Sequence, residues 1–155
     1  MEFDTAFEKL IGHEGGYVND PADPGGETKY GISKRSYHGE DIAGMTLERA
    51  KAIYLRDYWG PAGCGVVPDA IKFDLFDTAV HSGQWPAVRL LQQAVGEAED
   101  GVMGPRTVMA INSMPPTRLI ARFNGARLAF MASLPAWQTF GRGWAKRIAD
   151  NLRAA

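Results

Sequence analysis

Between Glu14 and Tyr30 the chain gathers side chains that can move a proton or hold a water: Glu14, Asp20, Asp23, Glu27, Thr28 and Tyr30. The same stretch holds two glycine pairs, Gly15-Gly16 and Gly25-Gly26, and two prolines, Pro21 and Pro24, each preceded by an aspartate. Cleavage of a glycosidic bond calls for such an inventory. One protonated carboxyl donates to the leaving oxygen, and a second carboxylate activates water or attacks the sugar. The donor needs surroundings that raise its pKa. Glu14 suits that role because it follows an amphipathic run, at the negative end of a helix dipole, where a carboxyl keeps its proton more tightly. Asp23 and Asp20 are the candidates for the second carboxylate. Asp-Pro turn chemistry accounts for Asp20 on its own, and Asp23 is the stronger of the two. Thr28, five positions after Asp23, offers a hydroxyl that can steady a water. Tyr30 can hydrogen-bond a carboxylate or a substrate. Gly15, Gly16 and Tyr17, next to Glu14, complete the expected substrate contacts.

Other chemistries fit less well. His13-Glu14 begins like a zinc-protease string, but no second histidine follows at the required spacing. Asn19, Asp20, Asp23 and Glu27 do not match an EF-hand calcium loop. His13, His38 and His81 are far apart, so no metal cluster is apparent. There is no phosphate-cradling Gly-Lys-Ser and no Gly-x-Ser-x-Gly elbow.

The elements around this loop are helical. Phe3, Phe7, Leu10 and Ile11 share one helix face, and the helix should run to about His13, with Gly15 and Gly16 stopping it. The loop itself has room for a small hairpin, and a brief helix is expected near Ser33. Thr46 reads as an N-cap for a helix to about Trp59. Pro68 opens the most apolar helix, to about His81, buried on most sides. Further helices start near Pro86, Pro105 and Pro115-Pro116, with Gly96 as a C-cap. The last carries Trp137, Phe140, Trp144, Ile148 and Leu152 at helical spacing, a stripe read as core. Trp59 and Trp85, at helix ends, are the tryptophans expected to be more exposed. The fold class is therefore mainly α, and 155 residues suffice for one domain.

Net charge is −1, which does not suggest a nucleic-acid binder. The balance is uneven, since seven basic residues against one acid follow Pro115. They either draw the protein to anionic polymers or decorate wet helix faces. One cysteine, Cys64, rules out an internal disulfide and suits synthesis in a reducing cytoplasm. The N-terminus lacks the apolar segment of a secretory signal, and no run is long enough for a membrane span.

Glu-Gly-Gly-Tyr-Val-Asn-Asp-Pro-Ala-Asp-Pro-Gly-Gly-Glu-Thr-Lys-Tyr-Gly-Ile-Ser, from Glu14 to Ser33, resembles the signature of glycoside hydrolase family 108. These are bacterial and phage N-acetylmuramidases of lysozyme-like, mostly helical fold. The resemblance places the catalytic acid on Glu14. The order Glu14, Asp23, Thr28 also resembles the Glu, Asp, Thr triad of phage-type lysozymes, with one residue fewer between the last two. Downstream, Leu91 to Gly96 followed by Asp100-Gly101-Val102-Met103-Gly104-Pro105-Arg106-Thr107 is similar to the peptidoglycan-binding region that follows the catalytic segment in that family.

The resemblance implies a single lysozyme-like domain, 1–84 being the catalytic segment and 85–155 the binding segment packed on it. It implies hydrolysis of the β-1,4 bond between N-acetylmuramic acid and N-acetylglucosamine without metal or cofactor. The implied partners are peptidoglycan strands, plus a holin or secretion machinery for export, for a monomer made in the bacterial cytoplasm and acting in the periplasm or wall. Its use would be as a phage-type endolysin or a secretion-associated muramidase. The rivals are a lytic transglycosylase and a non-catalytic wall-binding module.

Overall fold

A computed structural model describes residues 1–12, 16–20 and 26–154. The chain forms two compact units, Glu2–Asp57 and Tyr58–Ala155, the latter with Met1. Among the described residues there are seven α-helices and one two-stranded antiparallel sheet, the mainly α, lysozyme-like architecture that the sequence leads one to expect.

In the first unit, α1 (Phe3–Ile11) ends earlier than the glycine pair suggests. Gly12 takes φ +56° and its N–H caps the Glu8 carbonyl at 3.0 Å, a conformation that suits glycine. The fully buried Phe7 meets Phe3 at 5.9 Å and the edge of Tyr54 at 5.3 Å between ring centres. Burying one such ring stabilises by roughly 1.5–3 kcal/mol. Strands β1 (Thr28–Lys29) and β2 (Ile32–Ser33) pair with Thr28 opposite Ser33. No helix follows Ser33. Residues 34–45 form successive turns instead, because Gly39 and Gly44 break the periodic pattern before a helix can propagate. Helix α2 (Leu47–Tyr54) starts where Thr46 Oγ1 accepts the Arg49 N–H at 3.1 Å. It is continued by a π-helical turn, Leu55–Trp59.

The second unit is built on α3 (Asp69–Ser82). Its residues from Phe73 to Ala79 are all buried, so it is the central helix of this unit. It packs on α4 (Gln84–Val95) and α6 (Pro116–Ser133), and α6 in turn on α7 (Trp137–Arg153). The short α5 (Pro105–Ser113) lies against α4. Gly96 ends α4 at φ +79°, as its C-cap role requires. Two aromatic expectations are reversed. Trp59 is buried against Phe76, 5.3 Å between ring centres. The stripe on α7 is core only at Ile148: Trp137 and Trp144 are half-buried, and Phe140 and Leu152 are exposed. Among the described residues no helix is long and apolar enough to cross a membrane.

Candidate functional site

Of the residues picked out in the acidic loop, Glu14, Gly15 and Asp23 lie outside the described residues. Gly16, Tyr17, Thr28 and Tyr30 are described, and the structure ties their two stretches together. Val18 and Thr28 form a backbone bridge, each N–H donating to the other's carbonyl at 2.8 Å. The Tyr17 hydroxyl donates to Glu27 Oε1 at 2.7 Å, and that carboxylate pushes the phenol's pKa up. Gly16 is exposed, with open space where a side chain would stand. Thr28 is half-buried, its hydroxyl 3.4 Å from the Gly26 carbonyl.

Tyr30 is placed by a close approach. It takes φ +50°, unusual for a residue with a side chain, and Gly31 follows at φ +75°. The Tyr54 hydroxyl donates to the Tyr30 carbonyl at 3.0 Å. A Cβ on Gly31 would lie 2.4 Å from that hydroxyl oxygen, so only glycine fits the hairpin turn. The Lys29 ammonium stands 5.6 Å from the centre of the Tyr30 ring.

Two carboxyls elsewhere in this unit, Asp57 and Glu40, are arranged to stay ionised. Arg56 grips Asp57 at 2.5 and 2.6 Å, the Tyr37 hydroxyl adds a bond at 3.0 Å, and Asp57 is held below the usual carboxylate range. Arg49 does the same to Glu40 with bonds of 3.0 and 2.5 Å. Asp69, Asp77, Asp100 and Asp150 are likewise held below the usual range by their hydrogen-bond partners and neighbouring charges. Such groups hold charge well and donate protons poorly.

In the second unit, the loop after α4 is organised by one buried side chain. Gln92 Nε2 donates to Asp100 Oδ1 at 2.7 Å, to the Val102 carbonyl at 3.1 Å and to Thr107 Oγ1 at 3.2 Å. Its Oε1 accepts the Gly101 N–H at 2.9 Å. Both ends of the amide are therefore used, as burial demands. Beside this loop Trp85, Arg89, Gln93, Glu99 and Phe130 line a groove of about 290 Å³. The run Asp100 to Thr107, singled out as a motif, is thus tied together by Gln92, and α5 begins within it at Pro105.

A buried polar ladder joins α3, α6 and α7. Asp74 and Asp77, one turn apart on α3, face Asn124 and Arg127, one turn apart on α6. Asn124 Nδ2 donates to Asp74 Oδ2 and Arg127 Nη2 to Asp77 Oδ2, each at 2.7 Å. From α7, Arg147 bonds Asp77 Oδ1 and Asn151 bonds Asp77 Oδ2 at 3.1 Å. Burial works against ionisation of Asp77. The Arg147 hydrogen bond and the Arg127 and Arg147 charges outweigh it, and the carboxyl lies below its usual range. Arg127 is fully buried, so the basic tail is not wholly a wet face: Arg127 is an internal counter-ion of Asp77, and the half-buried Arg147 is its second partner. The signal that could have found them is the matched spacing, two acids three apart in the most apolar helix and an amide and a guanidinium three apart on a later one. Among the described residues no group of three His, Cys, Asp or Glu is placed to hold a metal ion.

Comparison with known proteins adds three findings. The model of the family described as Glycosyl hydrolase 108 matches residues 7–83, and that described as "Predicted Peptidoglycan domain" matches residues 86–149. Among solved structures the chain is similar to one titled "Structure of Brucella abortus SagA". The two share 34% sequence identity, the match covers 96% of this chain and 90% of that chain, and the TM-score is 0.86. No curated protein matches.

Proposed function

We propose that this chain, which belongs to the glycosyl hydrolase 108 family and is a glycoside hydrolase acting on peptidoglycan, is an N-acetylmuramidase with Glu14 as its general acid. The observation that carries the reading is the run from Glu14 to Ser33, which falls inside the family match at residues 7–83. In this reading Glu14 protonates the glycosidic oxygen between N-acetylmuramic acid and N-acetylglucosamine. Asp23 activates or positions water on the opposite face of the sugar, and the Thr28 hydroxyl steadies that water. Tyr17, Gly16 and Gly15 flank the acid, and Tyr30 reaches the substrate from the hairpin.

Two features support this assignment. Glu40, Asp57 and Asp77 are pulled toward ionisation, which does not suit these three to the acid's role. The Val18–Thr28 bridge and the Tyr17–Glu27 bond hold the stretches on either side of Asp23 together, so Thr28 stands on a braced strand. Because peptidoglycan lies outside the cytoplasm, the enzyme would act in the periplasm or wall after release through a holin pore or a secretion machinery.

The test is mass spectrometry of purified peptidoglycan digested by the wild-type protein and by Glu14→Gln. Reducing muramic ends that disappear with Glu14→Gln are the expected result. Anhydro-muramic ends, lighter by one water, would replace the hydrolase with a lytic transglycosylase. Full activity in a folded Glu14→Gln protein would refute the role of Glu14.

A further inference from the structure

The groove beside Trp85 is unused by the chemistry assigned to the N-terminal loop, yet it is a built site. Trp85 is 53% exposed and is nevertheless held from several directions. The Arg89 guanidinium lies 4.5 Å from its ring centre. Its Nε1–H donates to the Asp100 carbonyl at 3.3 Å. Gly101 approaches so closely that a Cβ there would lie 2.3 Å from Cδ1 and Nε1. Gln92, bonded to Gly101 and Asp100, fixes the loop that does this. Leaving a large apolar ring in water forgoes hydrophobic stabilisation, and ordering it costs side-chain entropy. Both penalties have a purpose where a pre-organised ring awaits a ligand.

The charges at the groove say what kind. Arg89 pairs with Glu99 at 3.2 Å, so the wall is neutral as a whole and a charged ligand would have to break that pair. The exposed Gln93 amide offers both a donor and an acceptor, while Pro86, Ala126, Ala129 and Phe130 supply apolar surface. An aromatic platform, small apolar walls and a few polar groups suit an uncharged ligand with one C–H face and a rim of hydroxyls.

We propose that this groove binds a neutral N-acetylhexosamine unit of a glycan strand, its C–H face on Trp85 and its polar rim on Gln93 and Glu99. The inference rests on the reading that the chain acts on peptidoglycan, whose strands repeat such sugars, and adds a second hold on the strand on the unit Tyr58–Ala155.

The experiment is a two-dimensional NMR titration of the ¹⁵N-labelled full chain with tri-N-acetylchitotriose. The Trp85 indole N–H and the Gln93 side-chain amide should shift saturably. Trp85→Ala should weaken binding, read at Gly101 and Gln93, by about tenfold. Gln93→Ala, at an exposed position that leaves the fold alone, should weaken it severalfold and stands in if Trp85→Ala fails to fold. The proposal is overturned if chitotriose leaves these resonances unmoved, if neither variant changes the affinity, or if a zwitterionic stem tripeptide shifts them and chitotriose does not. Reducing-end release from peptidoglycan, measured in parallel, separates the two readings. Cleavage with a silent groove removes only the subsite; a responsive groove without cleavage removes only the enzyme.

Discussion

Asp77→Ala should destabilise the unit Tyr58–Ala155 far more than an ordinary surface change, and the reason is Arg127. Asp77 is 1% and Arg127 0% exposed. Arg127 Nη2 donates to Asp77 Oδ2, while its Nε and Nη1 find no other acceptor among the described residues. Without the carboxylate the guanidinium is left buried and unpaired, and arginine cannot escape by losing its proton. Arg147, whose side chain is 39% exposed, can turn to water and adds little. Breaking a buried pair in this way costs about 3–5 kcal/mol. At a urea slope of about 2 kcal/mol per molar, the midpoint should fall by about 2 M, and the melting temperature by roughly 10 °C. Tryptophan fluorescence is the assay, since Trp59, Trp85, Trp137 and Trp144, all the tryptophans of the chain, lie in this unit. Asp77→Leu combined with Arg127→Met should cost clearly less than Asp77→Ala, because it removes both charges and keeps the volume filled. A single variant within about 1 kcal/mol of wild type, or a double variant worse than the single, would refute the account of Arg127 as a trapped charge.

Other consequences follow from the same geometry. Because the folded Asp77 pKa lies below its unfolded value, its contribution is complete above the unfolded pKa of about 3.9 and is lost as pH falls through the folded one. Urea midpoints should therefore drop below about pH 4, and Asp77→Asn should flatten that drop; an unchanged acid profile in Asp77→Asn would contradict the assignment. Gly101→Ala should cost about 1–3 kcal/mol, since it combines φ +75° with a clash on Trp85; thermal melts and the Trp85 emission report it. The Cys64 thiol, fully buried and pushed up to about 12 by that burial, should resist iodoacetamide at pH 8 and react once urea unfolds the chain; rapid native labelling would show that the thiol is reached without unfolding.

Much of the architecture was legible in local signals. Thr46, Gly96 and Pro105 mark helix ends because capping and φ preference act between neighbouring residues. The central place of α3 was legible because apolar residues all around a helix leave it no wet face. Gly12 was a miss of the same local kind: a single glycine ended α1 before the more conspicuous pair could. The aromatic part of the α7 stripe misled, because helical spacing shows which residues share a face but not what covers that face; only Ile148 of it is buried.

The sequence alone determined the family and the helical class, since each rests on contiguous runs of residues, and the proposal of Glu14 as general acid rests on one such run. Tertiary structure decided what those runs do not contain. Asp77 reaches Arg127, Arg147 and Asn151 across 50, 70 and 74 positions. Trp85 becomes a fixed platform through Gly101 and Asp100, on a loop sixteen positions further along. Neither is encoded in any local period. They arise when packed helices bring distant residues within hydrogen-bond reach, where burial converts an ordinary arginine or glutamine into a residue that has to find its partners.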